Sequence, residues 1–335
     1  MAQPQAHRQP PALVLGAVIA VAVVLFQALL VPLFVAPVAE PEPHDLPVIV
    51  AGPAPAASAF ADQLTSARPG AFEITTVADA AAADEALRDR EAYAAFVVGA
   101  DGVALHTASG ASPTVASLLT QATQQFSGGQ PVQVTDVVPT DTNDPRGAGF
   151  SSGFLPLAMT SLAIGAVLAL VLRKRGPRLL GLATYATLAG LVAAAVLQYW
   201  LGVIPGDYLM NAAAIGLFAL AAAATVAGLG SLLGRAGVML GALLVFLVAN
   251  PLSAVGSAPE LLPEPWGAVG QLLPVGAGAT LLRSTAYFDG AGGGTAALIL
   301  AAYALVGLAL VAIRRGTRPE RPTRASAPEA ELVAA

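Results

Sequence analysis

Phe150–Arg178 reads FSSGFLPLAMTSLAIGAVLALVLRKRGPR. No ionisable side chain occurs from Phe150 to Leu172, and Arg173, Lys174, Arg175 and Arg178 then arrive together. At about 1.5 Å per helical residue the apolar run is long enough to cross a hydrocarbon core of about 30 Å. Lys and Arg in short connections resist translocation, so the basic cluster marks a cytoplasmic end.

Five further runs of the same kind follow when the chain is read outward from this one. They are 12–36, 179–204, 208–229, 236–255 and 295–313, and none contains Asp, Glu, Lys, Arg or His. Hydrophobic residues make up 56% of the chain and charged residues 11%, with a mean hydropathy of +0.71. Soluble domains carry about 25% charged residues, so most of this chain has no water-facing surface to build. The expected fold is an α-helical polytopic membrane protein with six spans in a one-plus-five layout. The first run is too long for the apolar region of a signal peptide, about 7–15 residues, and reads as a retained anchor.

Orientation follows from the connections. Arg8, the Arg173–Arg178 cluster, Arg235 and the tail residues Arg314, Arg315, Arg318, Arg321 and Arg324 fall on one side, whereas the short opposite connections offer only Arg283. Segments 1–11 and 314–335 are therefore expected in the cytoplasm and segment 37–149 outside a plasma membrane. That external segment is acidic, with basic residues limited to Arg68, Arg88, Arg90 and Arg146. Its charge disfavours nucleic acid as a partner.

Segment 37–149 begins with a proline-rich stalk (Pro37, Pro41, Pro43, Pro47) and continues as a small α/β domain. Strands are expected at 46–51, 72–77, 93–98, 103–107 and 132–138, with helices at 56–67, 79–90 and from Pro113 onward. Asp101-Gly102 between two apolar runs signals a hairpin. Ser112 caps the third helix with Pro113 in its first position, and Val115, Leu118, Leu119, Ala122 and Phe126 share a face before Ser127-Gly128-Gly129 ends it. Helical crossovers imply parallel pairing of the early strands. Cysteine is absent, so this domain must fold on packing alone.

The chemistry of the chain is narrow. Lys174 is its only lysine and lies in no phosphate-binding loop, so the chain carries no P-loop of its own. Uncharged spans lack the buried acids and bases of ion-coupled carriers and intramembrane enzymes. No catalytic residue, cofactor or metal site is expected. His7, His44 and His106 read as solvated side chains. Thr160, Ser161, Tyr185, Gln198, Asn211 and Asn250 are the polar residues of interest within the spans, and either line a path or hydrogen-bond helix to helix. Gly230-x-x-x-Gly234 and Gly237-x-x-x-Gly241 read as close packing between consecutive spans, and Tyr199-Trp200 as an interfacial anchor.

The connection 256–294 is too apolar for a free loop, and its pieces are too short to span. Its region 260–290, with Pro263, Trp266, Pro274, Gly276 and Arg283, is expected to form a re-entrant or interfacial hairpin.

This layout, with Asn250-Pro251-Leu252-Ser253, Leu262-Pro263, Trp266-Gly267, Leu273-Pro274-x-Gly276-Ala277, Leu282-Arg283 and Tyr287-Phe288-Asp289-Gly290, resembles the ABC-2 family of type-2 ABC export permeases. It is similar in particular to their YhgE/Pip-like actinobacterial branch. The resemblance implies a homo- or heterodimeric permease in a lipid bilayer, exporting a hydrophobic or amphipathic compound with ATP hydrolysed by a separate subunit. Arg173, Lys174, Arg175 and Arg178 are the expected contact to that subunit. A scaffold or surface receptor whose external domain binds a protein is the other reading of the same layout.

Overall fold

The computed structural model describes residues 12–39, 42–100, 102–126 and 132–313. Both termini, with Arg8 and the tail arginines, lie outside the described residues, as do Pro41, Asp101, Ser127–Gly129 and the side chain of Phe126.

Helix α1 (Ala12–Ala39) leads to a five-stranded sheet built from β1 (Leu46–Ala51), β2 (Phe72–Val77), β3 (Ala94–Gly99), β4 (Gly102–Thr107) and β5 (Val134–Asp136). The strand order is β2-β1-β3-β4-β5. β1 pairs in parallel with β2 and β3, β3 and β4 form the antiparallel hairpin, and β4 and β5 are parallel. Alternation along β1 divides the core: Leu46, Val48 and Val50 face α2 (Ala54–Ala67) and α4 (Pro113–Phe126), while Ile49 and Ala51 face α3 (Ala80–Arg88). The Ser112 cap is where the sequence put it, with Val115 N–H donating to Ser112 Oγ at 3.3 Å, and Asp79 caps α3 by accepting from Ala82 N–H at 2.9 Å. β5 is shorter than the expected 132–138; past its end Val137 N–H still reaches Thr107 O, while the Asp136 carboxylate accepts from Ser109 N–H and Oγ–H.

Among the described residues, five helices are long and apolar enough to cross a membrane: Ala148–Val171 (α5), Arg175–Trp200, Tyr208–Leu233 (α7), Arg235–Leu252 and Gly294–Ile313 (α12); within α1, where a sixth span was expected, the described apolar stretch is the shorter Val14–Ala28. The second joins α6 (Arg175–Ala195) to a π-helical turn, and the fourth contains α8 (Arg235–Ala242), a π-helical stretch and α9 (Ala249–Leu252). This body is that of a polytopic helical membrane protein, and α7 is its axis. α7 is buried on nearly every face, which alanine and glycine permit by letting neighbouring backbones approach. Gly165 of α5, Gly190 of α6 and Gly307 of α12 each pack directly on its backbone, and Gly237 of α8 sits on Leu229. The two small-residue motifs therefore pack α7 against α8 within the chain.

The connection before α12 folds as α10 (Trp266–Gln271) and α11 (Pro274–Tyr287), turning at Leu272 and Leu273. α11 runs antiparallel to α7, with Thr285 donating to Asn211 Oδ1 at 2.9 Å and Gly278 packed on Phe218. Phe218 lies about 15 Å along α7 from its start, so α11 reaches about halfway through the helical body. Nearly all of α11 is buried among its neighbours, which satisfies the condition for a short apolar helix inside such a body.

Candidate functional site

Two features meet where the α/β domain rests on the α10–α11 hairpin. The first is an apolar cavity of about 570 Å³ on the α2/α4 face of the sheet. Phe60 and Leu64 of α2 form one wall, Leu118 and Ala122 of α4 the other, and Phe96 of β3 lies on the floor with its ring 5.5 Å from that of Phe60. Leu261, from the connection after α9, closes one end. α2 packs over β1 and β2 and α4 over β4, so the sheet is wider than the two helices can cover and the gap between them is the cavity. Gln63, Arg68 and Thr123 are its polar lining, with Gln63 and Arg68 exposed at the mouth.

The second feature is a half-buried polar seam beside Leu261. Tyr93 donates its hydroxyl to Glu260 Oε2 at 2.8 Å, and the Glu260 carbonyl accepts from His44 N–H at 2.8 Å. Arg90 donates to the carbonyl of Thr280 on α11 at 3.0 Å and lies over the Phe288 ring at 5.6 Å. Local backbone chemistry aims it there. α3 ends in a left-handed turn in which Glu91 N–H reaches Ala86 O and Arg90 N–H reaches Leu87 O, with Arg90 at φ 61°. Burial lowers the affinity of the Arg90 guanidinium for its proton, an effect opposed by Tyr93 and Glu260. Burial, and then the adjacent Glu260 carboxylate, push the Tyr93 phenol far above its ordinary value.

Arg283 is buried on α11, donating to Val255 O at 2.9 Å with its guanidinium 4.8 Å from the Phe150 ring. Among the described residues no carboxylate lies within ion-pair distance of it. His106 Nδ1 lies 2.6 Å from Asp84 Oδ1, within hydrogen-bond distance. His106 is thus a partnered side chain and not a solvated one. His44 Nδ1 is buried without a hydrogen-bond partner, which also departs from the solvated reading.

The polar residues of the spans form two small groups. Ser161 lies 3.1 Å from the Tyr185 hydroxyl, which donates to Thr160 at 3.0 Å, and both Ser161 and Thr160 bond back to carbonyls one turn earlier. Asn211 donates to Pro205 O at 2.8 Å and to Gln198 Oε1 at 3.4 Å, while Gln198 donates to Gly206 O at 2.6 Å. Asn250 stands apart from both, its carbonyl accepting from Ser253. Arg173, Lys174 and Arg175 are exposed at the α5–α6 turn. Arg178 instead folds back, donating to Leu172 O, Ala169 O and Ser231 Oγ at 2.6–2.8 Å, and so caps the end of α5. Of the hairpin residues, Pro263 and Trp266 are exposed while Pro274, Gly276 and Arg283 are buried, with Gly276 set against the backbone of Gly270.

Sequence reasoning missed the cavity and the seam. Glu260, one of three acids (with Glu264 and Asp289) in the largely apolar connection 256–294, was the available signal. Among the described residues no cluster of His, Asp and Glu is arranged to hold a metal. No family model, curated protein or solved structure matches the chain.

Proposed function

We propose that the chain is a membrane-embedded export permease of the ABC-2 type, moving a hydrophobic or amphipathic compound out of the cytoplasm with ATP hydrolysed by a separate subunit. In this reading all six apolar helices span, both termini are cytoplasmic, and the α/β domain is extracytoplasmic. The observation that carries it is α11, a half-length helix enclosed beside the axial α7, whose outer end is held by a domain containing an apolar cavity. Such an arrangement joins the interior of the helical body to a receiving site outside it. The test is purification in mild detergent followed by ATPase assay of whatever nucleotide-binding subunit accompanies the chain. Stoichiometric recovery of an ATPase, with turnover that falls when Arg173 and Lys174 are changed to Ala, is the expected result; a chain recovered alone under several detergents sinks the reading.

One observation favours a non-transporting scaffold or receptor. Only Leu172–Lys174 separate α5 from α6, and Arg178 is engaged in capping, so this turn presents little surface for coupling. Deletion of the α/β domain separates the two: a receptor loses all activity, whereas the permease keeps residual transport.

A further inference from the structure

We propose that the α2/α4 cavity binds a single-chain amphiphile with an anionic head, its acyl chain inside and its head at Arg68. The inference names the substrate class of the permease reading and rests on that reading only for the direction of movement.

Volume and lining give the tail. About 570 Å³ falls within the range of about 300–1,000 Å³ typical of small-molecule sites. Its walls carry no ionisable group below the mouth, and the Thr123 hydroxyl proton is already given to Leu119 O at 2.7 Å. A ligand with polar groups along its length would find nothing there to bond. An aliphatic chain loses nothing on entry and gains the burial of each methylene.

Charge gives the head. Arg68 is the ionisable residue of the lining, it is exposed, and among the described residues no carboxylate lies within ion-pair distance of it. The domain around it is strongly acidic, so a free cation at an apolar mouth is the local exception. A carboxylate or phosphate there completes a charge-assisted hydrogen bond, which a neutral head does not.

Position gives the source. Pro43, just beyond α1, and Leu261, from the connection after α9, both line the cavity, so it lies beside chain segments that leave the helical body. With the helical body in a bilayer, a lipid-derived amphiphile is the ligand nearest to hand.

The experiment uses the full chain in lipid nanodiscs and a diazirine-bearing dodecanoic acid, with cross-linked peptides mapped by mass spectrometry. Saturated carboxylates from octanoate to stearate compete with the probe, and lysophosphatidic acid and dodecanol are run beside them. Labelling on α2 and α4 is expected, with competition tightening about fourfold per methylene until the cavity is full. Lysophosphatidic acid competing better than the carboxylate of equal chain length assigns the head to a lysophospholipid, and the reverse order to a free fatty acid. Ala122→Trp fills the cavity and should reduce labelling at least about tenfold. Arg68→Ala, on the surface and harmless to the fold, should weaken the anionic ligands about three- to tenfold and leave dodecanol unchanged. Labelling confined to the long apolar helices, competition indifferent to chain length, or an Arg68→Ala chain that competes like its parent overturns the proposal. Because no ATPase is present, a chain that passes these tests yet couples to no ATPase sinks the export reading alone.

Discussion

At the scale of single residues, the docking of the α/β domain turns on groups that would be costly to bury without partners. Glu260 lies part-buried at the seam, and Tyr93 supplies its hydrogen bond. Tyr93→Phe leaves the carboxylate part-buried with that donor missing, at a cost of about 1.5–3 kcal/mol, measurable as a lower thermal midpoint of the full chain in detergent. The pH dependence has a definite sign. The folded phenol holds its proton well above the ordinary value of about 10, so its contribution is complete below that pH and declines as pH rises beyond it, where the unfolded chain ionises first. Stability of the parent should therefore fall more steeply on the alkaline side than that of Tyr93→Phe. Equal slopes would show that Tyr93 is not buried against Glu260.

At the scale of elements, the sequence was legible wherever the signal was local. Ser112-Pro113 and Asp79 mark helix starts because a cap is made within three residues, and β3–β4 shows its turn for the same reason. Three things were not local. The π-helical turns at Val196–Trp200 and Leu243–Val248 leave the apolar pattern unchanged and so were invisible. Arg175 and Arg178 looked like loop residues, but α6 already begins at Arg175, and Arg178 is drawn in by the free carbonyls of α5. The cavity depends on how far apart α2 and α4 settle on the sheet, which neither helix encodes alone. For the long helices the decisive property is smallness. A Cβ at Gly307 would meet the Ala224 backbone carbonyl at 2.5 Å, so Gly307→Leu forces α12 off α7. The expected penalty is about 1–3 kcal/mol, read as a lower midpoint in detergent. Gly16→Leu, where nothing lies within 4 Å, should leave the midpoint unchanged.

At the scale of the whole molecule, the α/β domain and the hairpin form one packed unit. Phe288 joins the α3-side core of the sheet, Ala258 and Leu261 join the α2/α4-side core, and Thr114 donates to Gly256 O at 2.9 Å. The chain has no cysteine, so an introduced pair reports on this seam without background. A Cβ at Gly110 would stand 3.1 Å from that of Tyr287, close to the roughly 3.5–4.5 Å that a disulfide spans. Gly110→Cys with Tyr287→Cys should cross-link rapidly under mild oxidation, shown by a mobility shift on a non-reducing gel and by peptide mass spectrometry. The bridge should raise the thermal midpoint, by about 2–4 kcal/mol of stability. Absence of the cross-link would mean that the domain is not seated on the hairpin.

The seam also sets a timetable for biosynthesis. Tyr93 and Glu260 are 167 residues apart, and most of the helical body lies between them. The α/β domain is complete once β5 ends at Asp136, so at about 5–20 residues per second it emerges roughly 6–25 s before Glu260 is made. During that interval Tyr93 and Arg90 stand without their partners. The growing chain must therefore pass through a stage in which this domain is folded but unseated, and a ribosome stalled shortly before Glu260 would hold it there.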